Sequence, residues 1–224
     1  MPYLPLPRTF EEYLASRSAN MRYHIHRRQK GFAKAAGAEL RIVCDADEGK
    51  QVLSDFFDLH QRRWRRDGMP GNFQDPAMQE FLRLFCGVAA RQGWLRCYVL
   101  RAAGQTQGIL IAFHWHGTAN YYQLGWNPAG PVKSAGVILM AASIKQAIDE
   151  GLARYDFLRG DEAYKAKWTA QASEQTTLVI GCRMPARATI IAERIKNKVK
   201  TAIEHCFGPQ GWERTRRLIQ GVRC

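Results

Sequence analysis

No apolar run approaches the roughly 20 residues that a membrane-crossing helix requires. The start, MPYLPLPRTFEEY, lacks the basic region followed by an apolar core that marks a secretory signal. Together these absences lead to the expectation of a cytoplasmic protein. There is no C-x-x-C pair, and Cys44, Cys86, Cys97, Cys182, Cys206 and Cys224 lie scattered, several within apolar runs. Zinc sites and disulfide frames need regular spacing, so these residues read as reduced thiols. His24, His26, His114, His116 and His205 give no metal-ligand spacing; His114 and His116 share a strand face but find no third ligand. No metal is therefore expected. Internal repeats and low-complexity tracts are also missing. Acidic residues are scarce, 20 Asp and Glu against 33 Lys and Arg, which leaves a formal charge of +13 and a pI near 9.8.

What is present suffices for a core. At about 150 residues per domain, 224 residues make one large domain or two small ones, and 46% hydrophobic with 24% charged residues is an ordinary globular composition. The positive charge points to nucleic acid, an anionic membrane surface or a polyanionic ligand. Its distribution is uneven. Residues 1–36 carry +5, residues 183–224 carry +7, and the 146 residues between them only +1. A nearly neutral centre with basic ends differs from a dedicated DNA-binding fold.

After a proline-broken leader, Thr9 can cap a short helix FEEYLA and Ser18 a longer one. In the longer helix Met21, Ile25, Phe32 and Ala36 form an apolar stripe, with Arg22, Arg27, Lys30 and Lys34 away from it. That basic surface is either a solvated face or a polyanion contact. A strand is expected over 38–44, then a helix capped by Asp47 and running to about Arg66, on which Leu53, Phe57, His60 and Trp64 share one face. A loop and a helix from about Pro76 to Gln92 follow. Strands over 94–102, 108–116 and 118–126, joined by AGQTQ and His116-Gly117, form an antiparallel meander. The loop NPAGPVKSAG leads into a helix over about 136–150, then come strands at 154–158 and 176–182 and a basic helical tail. The fold class is α/β in the mixed α+β sense: a mostly antiparallel sheet flanked by helices. The domain is placed at 1–182, with 1–17 as leader and short helix, and the basic extension at 183–224.

At DFLRGDEAYKAKW, residues 156–168, the sequence resembles GNAT-type acetyltransferases of the CelD cellulose-biosynthesis group. MRYHIHRRQKGF, the run FFDLHQRRW followed by GNF, the meander, and the helix entered through KSAGVILM agree with it. The resemblance spans roughly residues 9–182, and D-F-x-x-G-D-x-x-Y-K is its most specific part. Members often carry a further domain ahead of this one. The fold is also similar to that of Fem-type transferases, which take an aminoacyl group from tRNA. The resemblance implies transfer of an acyl group, foremost acetyl from acetyl-CoA, to a hydroxyl or amine of an acceptor in cell-envelope or exopolysaccharide metabolism.

Such chemistry needs a phosphate anchor, an oxyanion donor, a base for the acceptor and stabilisation of the departing thiolate. The anchor candidates are Lys133, Ser134, Ala135, Gly136 and Val137, where backbone N–H groups at a helix start can meet a pyrophosphate. Spacing alone favours an ordinary helix start capped by Ser134, and the resemblance is what points to pyrophosphate. The Gln/Arg-x-x-Gly-x-Gly/Ala register common in CoA-binding GNAT enzymes is absent here. Tyr164, shortly after a strand, matches the tyrosine that relatives place near the thiolate sulfur; otherwise its ring packs under the turn. Lys165 could lower its pKa if the ammonium packs close. Asp161 is the candidate base or acceptor-holding carboxylate, and His60 a second candidate base or else a core histidine. Asp156, pointing inward, would pair with Arg159 or Lys165 and fix the turn or touch substrate. Trp64 and Phe73 are candidate walls for the acceptor, or core. The expected partners are an acyl-CoA and a small-molecule or glycan acceptor. Peripheral contact of the basic ends with an anionic membrane or polyanion, and a homodimer, are further options. Two rivals stay open: a Fem-like transferase using charged tRNA, and a non-catalytic basic module.

Overall fold

Alternation of apolar residues between 95 and 126 builds the centre of a six-stranded sheet. In the computed structural model, which describes residues 1–66, 68, 71–160, 162–176, 190–192, 195, 198, 199, 201 and 202, three long strands form the meander. They are β3 (Leu95–Ala102), β4 (Gln105–Trp115) and β5 (Thr118–Trp126), all antiparallel. Both connections are tight two-residue turns, Ala103-Gly104 and His116-Gly117, with positive φ at all four residues. This is the conformation whose twist matches paired strands. The first turn is thus shorter than the expected AGQTQ loop, because Gln105 and Thr106 already pair with Ala102 and Arg101.

β2 (Glu39–Val43) adds to the β3 edge, and β6 (Arg154–Asp156) lies parallel to β5. The leader contributes a strand that the prolines concealed. β1 (Tyr3–Pro5) pairs antiparallel with β6 and closes the order β1-β6-β5-β4-β3-β2. A proline is tolerated there because an edge strand can leave one N–H position unused. β6 stops two residues before the expected 158: Asp156 Oδ1 accepts the Leu158 N–H at 2.8 Å, and Leu158 takes a φ of 55°.

Among the described residues of 1–174, five α-helices cover the sheet. α1 (Phe10–Ala15) and α2 (Ala19–Ala33) are capped by Thr9 and Ser18, whose hydroxyls accept the N–H groups of Glu12 and Met21. α3 (Ala46–Arg66) begins earlier than expected, because Asp45 rather than Asp47 caps it and accepts the Asp47 and Glu48 N–H groups. α4 (Pro76–Arg91) is capped by Asp75, and α5 (Ala135–Asp149) makes the crossover from β5 to β6. Strand alternation divides the core in two. Tyr98, Leu100, Leu110 and Ala112 face α1, α2 and α5, while Cys97, Val99, Ile109 and Ile111 face α3 and α4.

Met1–Glu174 form one unit and Gln175–Cys224 a second. In the second, the described residues at 190–192, 195, 198, 199, 201 and 202 are helical, with Ile191, Ile195 and Val199 exposed. The rest of the tail and the strand expected at 176–182, beyond Thr176, lie outside the described residues. Among the described residues no helix is long and apolar enough to cross a membrane, and no group of side chains has metal-binding geometry.

Candidate active site

The parallel pair β5–β6 is short: it joins Thr118, Ala119 and Asn120 to Arg154, Tyr155 and Asp156, and beyond Asn120 the two strands no longer pair. The edge of β5 is released at Tyr121. A bulge acts at the same place. Ala112 pairs with Tyr121 and Ile111 with Gln123, so Tyr122 is the extra residue. An inserted residue reverses which face each later side chain takes. Tyr121, Leu124 and Trp126 consequently point to one face despite their uneven spacing, while Tyr122 packs on the other.

On that face a cleft of about 970 Å³ opens between β5, the start of α5, the α1–α2 segment and the turn after β6. α5 contributes Ser134, Gly136, Val137 and Met140, and the turn contributes Tyr164, Lys167 and Trp168. Gly136 has a packing reason: a Cβ there would sit 3.0 Å from Leu124 Cδ2, so the helix start lies close against β5. Ser134 holds a left-handed conformation with φ of 60° and makes no side-chain cap bond; its carbonyl instead accepts the Val137 N–H at 2.9 Å. The hydroxyl is thereby left at the cleft wall. Ala135 is buried in the core, and Lys133 is exposed beside the cleft rather than lining it.

At the cleft floor the Tyr164 hydroxyl donates to the Tyr121 hydroxyl at 3.2 Å. Burial raises both phenols above their ordinary value, Tyr121 the more strongly, although Arg63 pulls each of them down. Both are neutral O–H donors at neutral pH. Arg63, near the end of α3, lies over the Trp126 ring with its guanidinium carbon 4.1 Å from the centroid. It is thus the cation beside Tyr164, a role the sequence suggested for Lys165. The Lys165 ammonium is instead buried under the turn, donating to the carbonyls of Arg159 (2.7 Å) and Gly160 (3.3 Å) and pairing with Glu162 (2.8 Å).

Asp156 is buried, but its partner is Arg154 at 2.8 Å, not Arg159 or Lys165. Residues two apart on a strand lie on the same side, which brings the guanidinium to the carboxylate. With its bond to the Leu158 N–H, this pair fixes the strand exit. Arg159 is exposed, and its contribution to the turn is its carbonyl. Asp161 lies outside the described residues.

His60, Trp64 and Phe73 come together, but behind the sheet. His60 is fully buried; its Nε2 accepts the Trp64 indole N–H at 2.8 Å, and its ring stands edge-on to Phe73 at 4.8 Å between centroids. α3 presses so closely on the back of β5 that a Cβ at Gly125 would meet the His60 backbone nitrogen at 3.1 Å. Burial, and secondarily Arg63, pushes the imidazole pKa down to about 4. None of the three lines the cleft. The histidine that does is His24. Arg63, Tyr121 and Trp126 were missed in the sequence because the bulge breaks the alternation that would have grouped the last two. Arg63 sits one position off the apolar ridge of α3.

A parallel strand pair thus separates beside a helix start, with two hydroxyls at the point of separation. The acetyltransferase (GNAT) domain family matches residues 19–166, and the chain belongs to that family. No curated protein matches it in sequence. Among solved structures it is similar in fold to FemX, with a TM-score of 0.58, 10% identity, and coverage of 75% of this chain and 57% of that one. It is also similar to the C-terminal domain of a putative lysylphosphatidylglycerol synthetase from Agrobacterium fabrum, with a TM-score of 0.51, 10% identity, and coverage of 75% and 55%. The likeness thus extends over little more than half the length of either. A GCN5-related N-acetyltransferase from Ralstonia eutropha JMP134 is matched over its whole length at a TM-score of 0.48 and 16% identity.

Proposed function

We propose that this protein transfers an acyl group, most simply acetyl from acetyl-CoA, to a hydroxyl or amine of an acceptor bound beside Tyr121 and Tyr164. The observation that carries this reading is the hydroxyl pair at the parted edge of β5, in one cleft with the start of α5. The residues present suit a CoA thioester. Unpaired N–H groups at a helix start favour phosphate, and a cleft of about 970 Å³ has room for an extended ligand. The thioester supplies an electrophilic carbonyl carbon and a leaving thiolate. A bond forms between the acceptor's oxygen or nitrogen and that carbon, the C–S bond breaks, and the proton lost by the acceptor ends on the sulfur.

The chain's own groups act on charge. One hydrogen bond between the two hydroxyls commits one phenol proton of the pair and leaves the other free to point at a developing anion. Full transfer from a phenol (reference pKa about 10) to a thiolate (about 8.5) is uphill by about 2 kcal/mol, and burial widens that gap. Hydrogen-bond stabilisation, reinforced by Arg63, is therefore the role assigned to the pair. The resemblance of DFLRGDEAYK to the CelD group supports an envelope or exopolysaccharide acceptor. The cytoplasm, where acyl-CoA is made, is the compartment this reading needs. The cationic cleft lining favours one alternative, an aminoacyl-tRNA donor.

A thermal-shift titration separates them. Acetyl-CoA at 100 times its dissociation constant should stabilise the folded chain by about 2.7 kcal/mol. Stabilisation by aminoacyl-tRNA without any by acetyl-CoA or CoA would overturn the reading.

A further inference from the structure

One wall of the cleft carries a charge pattern that the tyrosine pair does not use. Asn20, His24 and Arg28 recur every four residues and so form one face of α2, turned into the cleft beside the buried Ile25. Arg17, Arg63 and Lys167 also line it, and no Asp or Glu does so among the described residues. Four permanent cations around one cavity repel each other unless an anion joins them. They are not equally committed. The Arg17 guanidinium donates to the Trp168 carbonyl at 2.8 Å, and Arg63 is spread over Trp126. Arg28 is half-buried and makes no ion pair or hydrogen bond with a described residue, and the Lys167 ammonium makes none either. Other arginines of the chain show what is missing: Arg96 holds Glu150 in a fork, and Arg154 holds Asp156.

The loop into α5 lacks the complete glycine register that wraps a pyrophosphate, and Lys133 stands outside the lining. α2 packs directly on α5, so its polar face and Ser134, Gly136 and Val137 border the same space. We propose that the Asn20–His24–Arg28 face of α2, together with Lys167, is a phosphate-binding wall that holds the phosphates of the acyl donor against the start of α5. It supplies through side chains the contacts that a loop without the complete glycine register does not make through its backbone. A planar guanidinium suits two phosphate oxygens at once, whereas an ammonium offers a point charge. The proposal rests on the acyl-CoA reading for the identity of the donor, but not for the presence of phosphate.

Calorimetric binding to the whole chain tests it, with CoA, dephospho-CoA, pantetheine and inorganic pyrophosphate as probes and with Arg28→Ala and Arg28→Lys as variants. For Arg28→Ala, the CoA dissociation constant should rise at least about 10-fold and pyrophosphate should weaken in parallel, while pantetheine stays within about 2-fold. Arg28→Lys should fall between. A circular-dichroism melt fixes the folded fraction, and if Arg28→Ala does not fold, Arg28→Gln replaces it. If CoA binds wild type and variant equally, or pantetheine loses as much as CoA, the wall is overturned and the donor reading stands. If wild type binds no CoA yet binds pyrophosphate in an Arg28-dependent way, the donor reading fails and the wall stands.

Discussion

The two faces of the sheet meet the same strand, β5, and use it in opposite ways. In front, the bulge at Tyr122 and the parting from β6 leave Tyr121, Leu124 and Trp126 around an open, cationic cleft. Behind, α3 lies so close at Gly125 that His60, Phe56, Phe57 and Phe73 close into a buried aromatic cluster. A titratable ring on the front meets a partner that leaves it able to donate, whereas the ring on the back accepts from Trp64 at Nε2, has no hydrogen-bond partner for its buried Nδ1 among the described residues, and is kept neutral by burial. Residue type does not determine which group faces the cleft; the side of the strand does. Substitutions and pH can break this contrast.

The largest effect belongs to the front. Tyr164→Phe removes the hydroxyl that hydrogen-bonds to Tyr121 but leaves the ring, so the Tyr121 hydroxyl loses the contact that orients its proton. Loss of one preorganised donor at a developing anion slows the chemical step by about 10²-fold. The release of CoA thiol from acetyl-CoA should fall by that order, while CoA affinity changes less than about 2-fold. An unchanged rate would make the tyrosine pair structural and remove the contrast between the faces.

The back of the sheet should respond to acid. His60 has its folded pKa depressed to about 4 against a reference of about 6.5, so its neutral form is the native one. Its stabilising contribution is complete above about pH 6.5 and is lost as the pH falls towards 4, where the unfolded chain takes up the proton first. Between pH 7.5 and 5 this amounts to about 2 kcal/mol. Burial also lowers His114, against the pull of Glu150, so His114 adds to the same slope. Urea denaturation of wild type and His60→Phe at both pH values isolates the His60 share: the variant should lose about 2 kcal/mol less. At pH 7.5 the variant should still release CoA thiol. If it folds but releases none, His60 acts on the reaction and the back of the sheet is not inert.

Much of this architecture is readable in the chain. Thr9, Ser18, Pro76 and the positive-φ pair His116-Gly117 fix helix starts and a turn by local chemistry, and the meander follows from alternating apolar residues. β1 was hidden because prolines mask an edge strand, and the Asp45 cap because Asp47 fits the same pattern. At the site, Tyr164, Ser134, Gly136 and Val137 meet in one cleft because each lies next to a recognisable turn or helix start. His60, Trp64 and Phe73 also stand together, but helical periodicity reveals an apolar face without telling which side of a sheet it covers. Arg63, His24 and Arg28 were invisible for a related reason: their importance comes from what α3 and α2 border, which depends on pairings far away in the sequence.

Lys133 provides the weakest test of the contrast, and it bears on how much of the anchor is a loop. Its exposed ammonium stands one residue ahead of Ser134, outside the lining, so any attraction to a bound phosphate acts through solvent. Solvent-screened charge pairs contribute about 0.2–1 kcal/mol. Lys133→Ala should therefore weaken CoA only about 1.4- to 5-fold at low salt, and the difference should shrink as salt rises to 0.5 M and the Debye length falls to about 4 Å. A loss as large as that expected for Arg28→Ala would shift the anchor from α2 to the loop, and the front of the sheet would then hold its ligand from one wall.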